Sequence, residues 1–274
     1  MHSVWYTIAE VGATGGLCPE FQRKVSEHDL QTGNDDMCNK IDLAGIRIDD
    51  CGLEEALQKV DFYFNNECMN TIETVTMKTI VAAGEDEKVR ECLEQTDLVL
   101  AGDKELLEMA GISSARRIQE VEDREFFHSF MSLAIQQEKT VFVLSQTEAE
   151  IEELQIFLED LFDGKVQICG QYALDSCVGD EDDVINEINT VSPEIILSTL
   201  PTPKQEHFLR CHIGKFHARV WYGISAEYDV TESRRGLKVW LKKMQVRYKM
   251  KHQIQFYEHT SPENMVKKDE MHKK

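Results

Sequence analysis

The stretch Glu194-Ile-Ile-Leu-Ser-Thr-Leu200, running into Pro-Thr-Pro-Lys-Gln-Glu206, sets the tightest limit on what this chain can fold into. The run 195–200 is apolar, rich in β-branched residues and too short for an amphipathic helix. It predicts a strand buried on both faces, as in a parallel sheet. Pro203 suits the first turn of a helix, where the N–H it lacks is not needed. The polar residues after it stand just past the carboxyl end of a strand, where open α/β sheets bind ligands. An ordinary strand–turn–helix joint with a solvated start would read the same way.

The pattern recurs along the chain. Residues 41–48 read as a strand. Apolar positions 53, 56, 57, 60 and 64 mark a helix. Residues 71–76 alternate like a strand, a helix spans about 85–95, and 97–101 is a short buried strand. Helix 123–138 precedes the strand 140–145. Helix 147–162 opens with Thr147 as N-cap and Glu150 completing a capping box. Strand 166–169, helix 180–189, the 194–200 strand, helix 203–212 and strand 217–222 complete the series. Strands alternating with helices of this length predict an α/β fold: a Rossmann-like parallel sheet sandwiched by helices.

Charge divides the chain. Residues 1–232 carry 18 Lys and Arg against 46 Asp and Glu; residues 233–274 carry 12 against 4. The acidic body excludes a nucleic-acid partner and is repelled by anionic lipid. In 233–253, Leu237, Trp240, Leu241, Met244 and Tyr248 share one helical face, and Arg234, Arg235, Lys238, Lys242, Lys243 and Arg247 surround it. A basic amphipathic helix with aromatic residues predicts contact with a membrane surface. Docking on the chain's own acidic body, or on a second copy in a homo-oligomer, would use the same face. The predicted organisation is a poorly defined extension (1–40), an α/β domain (41–230) and a basic amphipathic helical appendage with a tail (231–274).

No run of 18 apolar residues occurs, and the first residues lack the features of a signal peptide. The eight cysteines are scattered without a C-x-x-C pair. That spacing predicts reduced thiols in a cytoplasmic protein and no metal site. Gly12 to Gly16 resembles a dinucleotide loop, but no helix opens from its last glycine, so no cofactor is expected.

Several strings resemble the WecG/TagA/CpsF glycosyltransferase family, over about residues 41–250. They are Ile46-Arg-Ile-Asp49 with Leu53-Glu-Glu-Ala56, then Asp97-Leu-Val-Leu100, then Ser192-Pro193 with 195–200 and Pro203-Lys-Gln-Glu206, and more loosely 221–229. The resemblance implies an inverting transferase without a required metal. It would move an N-acetylhexosamine, such as N-acetylmannosamine, from a UDP-sugar to a polyprenyl-diphosphate-linked sugar. Such an enzyme would work in cell-surface polysaccharide or teichoic acid synthesis, peripheral at the inner face of the cell membrane. The family pattern Pro-Asp-Gly is Ala101-Gly102-Asp103 here, so its carboxylate, the proposed general base, stands one residue later at Asp103. The family's Thr-x-Asn-x-Glu loop is Thr74, Thr76 and Lys78. By this resemblance Thr74, Thr76, Lys204, Gln205 and Glu206 would bind substrate. Arg117 would offset charge on the leaving UDP, and the basic helix would meet membrane and diphosphate. The departures imply an alternative: a catalytically degenerate member that binds nucleotide sugar or regulates. As a second reading from residues alone, Asp103 is the N-cap of a helix over 104–110.

Overall fold

The computed structural model describes residues 38–224. In chain order the elements are strands β1 (Asn39–Leu43) and β2 (Ile46–Asp50), helix α1 (Leu53–Asn65), strand β3 (Asn70–Val75), helices α2 (Met77–Glu85) and α3 (Glu87–Gln95), strand β4 (Leu98–Ala101), helices α4 (Lys104–Met109), α5 (Ala115–Glu122) and α6 (Glu125–Gln136), strand β5 (Thr140–Ser145), helix α7 (Glu148–Phe162), strand β6 (Gln167–Ala173), helix α8 (Glu181–Val191), strand β7 (Ile195–Ser198), helix α9 (Lys204–His212) and strand β8 (Val220–Ile224).

Six strands form one parallel sheet in the order β4-β3-β8-β7-β5-β6. The expected Rossmann-like sandwich is present. Its strands are apolar on both sides because helices cover both. Val141, Val143, Ile195, Leu197, Val220 and Tyr222 pack with α1, α6 and α7. The alternate residues Phe142, Leu144, Ile196 and Trp221 pack with α8 and α9. Helix α7 starts as its capping box requires: Glu150 N–H donates to Thr147 Oγ1 at 3.3 Å, and Thr147 N–H donates to Glu150 Oε2 at 3.2 Å.

Four expectations need correction. Residues 39–50 are two antiparallel strands, with Ala44 and Gly45 at positive φ in the turn between them. Helix α2, ahead of the expected helix at about 85–95 (α3), was not foreseen; Asp86 ends it and caps α3, accepting from Lys88 N–H. Helix α5 was not foreseen. Finally, the cysteines are not all reduced: Cys38 and Cys51 form a disulfide, with Cα atoms 4.9 Å apart. They face each other one step beyond the Asn39–Asp50 pair of the hairpin, a separation a disulfide spans. Their distance in sequence concealed a pairing that only the hairpin creates.

The basic segment, with Arg234, Arg235, Lys238, Lys242, Lys243 and Arg247, lies outside the described residues, as does the loop Gly12 to Gly16. No helix among the described residues is long and apolar enough to cross a membrane.

Candidate active site

The carboxyl ends of β3, β4 and β8 open into a cavity. Three groups of residues wall it. The sheet supplies Thr74, Leu100 and Tyr222; the β2–α1 junction supplies Asp49, Cys51 and Gly52; α5 and the start of α6 supply Arg117, Glu120, Arg124 and Phe126. Alternation along β3 and β8 explains the first group. Ile72 and Thr74 share one face of β3, Val220 and Tyr222 the matching face of β8, and Thr74 Oγ1 donates to Tyr222 Oη at 3.3 Å.

Arg117, Glu120 and Asp49 are held in ion pairs. Arg117 donates through Nη1 to Glu120 Oε2 at 2.9 Å and through Nη2 to Asp50 Oδ1 at 3.3 Å. Arg116 donates from the solvent side to Glu120 Oε1 at 3.0 Å. Asp49 is buried and accepts from Val99 N–H at 2.9 Å, which ties the hairpin to β4. Its other oxygen faces the ammonium groups of Lys40 at 3.3 Å and Lys59 at 3.6 Å.

Of the residues singled out in the sequence, Thr74 and Arg117 come together in this cavity. Thr76 is buried at the N-cap of α2, its hydroxyl 3.3 Å from that of Thr79. Lys204 opens α9 and lies 4.0 Å from Asp175. Gln205 and Glu206 are fully buried on the opposite side of the sheet from Thr74. Gln205 Nε2 donates to Glu73 Oε2 at 2.6 Å, Trp221 Nε1 donates to Glu73 Oε1 at 3.0 Å, and Thr202 Oγ1 donates to Glu206 Oε1 at 2.7 Å. Burial pushes the Glu73 carboxyl well above the usual range, with Glu206 adding to it against the two donors. Burial raises Glu206 as well, against the Thr202 bond.

Asp103 caps α4, as its capping reading predicts. Oδ1 accepts from Leu106 N–H at 3.3 Å and Oδ2 from Met77 N–H at 2.9 Å, joining the first turns of α4 and α2. It is not among the residues that wall the cavity. The position before it leaves no room for a side chain: a Cβ at Gly102 would lie 2.8 Å from Val75 O and 2.9 Å from Thr74 Cγ2. Gly102→Ala is therefore expected to destabilise the chain by about 1–3 kcal/mol through overpacking. Urea unfolding checks this, and an unchanged midpoint would mean that the loop yields freely.

Sequence reasoning missed Tyr222, Glu120, Arg124 and the β2–α1 junction. The period of two from Val220 to Ile224 could have placed Tyr222 on the Thr74 face. The three-residue step from Arg117 to Glu120 is a helical pairing distance. Cys38, Asp49 and Cys51 are the one group of metal-ligating types within 4.8 Å among the described residues. They do not suit a cation: the sulfurs are bonded to each other, and the two ammonium groups already face the free Asp49 oxygen.

A parallel sheet with a cavity at the carboxyl ends of its strands defines an α/β protein whose cavity lies where open α/β sheets bind ligands. Residues 41–248 match the glycosyl transferase WecG/TagA/CpsF family, and the chain belongs to it. This is a glycosyltransferase family of cell-surface polysaccharide synthesis. No curated protein matches the chain.

Proposed function

We propose that this chain is an inverting transferase. It moves an N-acetylhexosamine, of the N-acetylmannosamine type, from a UDP-sugar to a polyprenyl-diphosphate-linked sugar. The observation that carries the reading is the cavity at the ends of β3, β4 and β8, which brings Thr74 and Arg117 together in a chain of this family. Thr74 orients the sugar. Arg117 meets the diphosphate, exchanging a carboxylate partner for a phosphate oxygen. Asp103 deprotonates the acceptor hydroxyl after releasing one of its two backbone N–H groups. Thr76, Lys204, Gln205 and Glu206 act from behind, by holding the β3, β7 and β8 ends in place. The basic segment 233–253 sets the enzyme on the inner face of the membrane, at the lipid diphosphate. In that reducing compartment the Cys38–Cys51 pair would be open to reduction.

The test is UDP release from UDP-N-acetylmannosamine and UDP-N-acetylglucosamine, with a short-chain polyprenyl-diphosphate-N-acetylglucosamine acceptor. Acceptor-dependent release is expected from the native chain. It should fall by about 100-fold or more in Asp103→Asn if that carboxylate is the base. A second reading, a member that binds nucleotide sugar without turning it over, is favoured by the engagement of both Asp103 oxygens and the closed space at Gly102. UDP binding without release from either donor would establish it.

A further inference from the structure

We infer that Tyr222 is the specificity residue for the acylamino group of the sugar, its phenol O–H donating to the acetamido carbonyl; this rests on the transferase reading of the cavity. Tyr222 stands midway along β8 as part of the cavity wall. Its ring is fixed by Phe130 at 4.7 Å, by Phe126 edge-on at 5.6 Å and by Phe127 at 6.3 Å. The hydroxyl therefore has a set position. Thr74 donates to it, so the phenol's own proton is left to donate elsewhere, and it has no acceptor among the described residues. A buried donor that lines a ligand cavity and lacks a protein acceptor is a place for a ligand acceptor.

The chemistry of the corner narrows the ligand. Burial drives the Tyr222 phenol far above its ordinary range. The group is thus a neutral donor at working pH and not a base. The wall beside it is apolar, from Ala56, Leu100, Phe126, Phe127 and Ile224. The cavity's arginines come from α5 and the start of α6, where an anionic group would settle. One neutral donor set among aliphatic and aromatic surface matches an acetamido group, whose carbonyl needs a donor and whose methyl needs an apolar seat. A sugar hydroxyl at the same carbon is two atoms shorter than the acetamido carbonyl, so it would fall short of the donor and leave the apolar surface unfilled.

The experiment is calorimetric titration of the full chain and of Tyr222→Phe with UDP, UDP-mannose and UDP-N-acetylmannosamine. The two sugars differ only by hydroxyl against acetamido. Loss of one neutral hydrogen bond corresponds to about 2–13-fold in affinity. The expected result is that weakening for UDP-N-acetylmannosamine alone, with UDP and UDP-mannose unchanged. Thr74→Ser should keep the preference and Thr74→Val should lose part of it. Equal weakening for all three ligands, or none, overturns the assignment. The transferase reading can fail separately. If the native chain binds no UDP-sugar, saturation-transfer NMR with free N-acetylmannosamine and mannose decides. A response to the first alone, lost in Tyr222→Phe, sustains the acetamido site without the transferase; no response overturns both.

Discussion

Asp49→Ala should lower the unfolding free energy by about 3–4 kcal/mol, close to the loss seen when one partner of a buried ion pair is removed. The carboxylate serves three groups at once. It accepts the Val99 N–H in the body of β4, and it faces Lys59, whose side chain is only 11% exposed, together with the freer Lys40. Alanine would leave an amide without its acceptor and a mostly buried ammonium without its counter-charge. Each loss is destabilising in its own right. It would also untie the β1–β2 hairpin from the sheet, since the Asp49–Val99 bond is a direct link between them. Asp49→Asn keeps an acceptor for Val99 while losing the charge, so it should fall between the two, at about 1–2 kcal/mol. Urea unfolding of the three chains measures this. Equal midpoints for Asp49→Ala and the native chain would show that the hairpin is held by its apolar contacts alone.

The second large effect is a pH dependence set by Glu73. Its folded-state pKa is raised by burial and by Glu206, while the unfolded carboxyl titrates near the ordinary value of about 4.3. Below that value both states hold the proton, and the group's contribution to stability is fully present. As pH rises the unfolded chain gives up its proton first, and stability is lost until the folded pKa is passed. Each pH unit in that window removes about 1.36 kcal/mol. Glu73→Gln cannot ionise and should not show this loss. The native chain should therefore become steadily less stable than Glu73→Gln as pH rises above the unfolded value, until the raised folded pKa is passed, with the gap closing toward about pH 4. Parallel stability curves would mean that Glu73 is charged in the folded state. Glu206, also raised by burial, acts in the same sense, whereas Asp86 and Asp182 act in the opposite one: they are lowered, by the Lys88 N–H and by Lys215 respectively. The comparison with the variant isolates Glu73 from them.

The sheet was legible because burial on both sides leaves an uninterrupted apolar run, as in β5 and β7, and α7 announced itself by its cap. The hairpin was not. Ala44 at φ 57° and Gly45 at φ 85° reverse the chain inside a stretch whose residue types suit one strand. Helix α5 has no apolar stripe to read; its one buried residue is Glu120. The candidate site divides in the same way. Thr74 and Arg117 were found through a resemblance, and the cavity joins them. Polar residues after a buried strand point Gln205 and Glu206 toward a ligand. Yet Phe208, Leu209 and His212 are the buried positions of α9, and steps of three, four and seven put Gln205 on that same face. The helical period was the stronger signal, and it turns Gln205 inward toward Glu73.

Neighbouring residues of β3 thus work in separate compartments: Glu73 belongs to the buried layer under α9, and Thr74 to the open cavity. Anyone redesigning the sugar preference of this protein inherits that partition. Libraries built on α9, where the sequence first draws the eye, would sample foldedness and little else. On the proposed reading, variation at α5, the start of α6 and the β2–α1 junction would alter the wall of the sugar cavity, and could be combined freely with stabilising changes on the far side of the sheet.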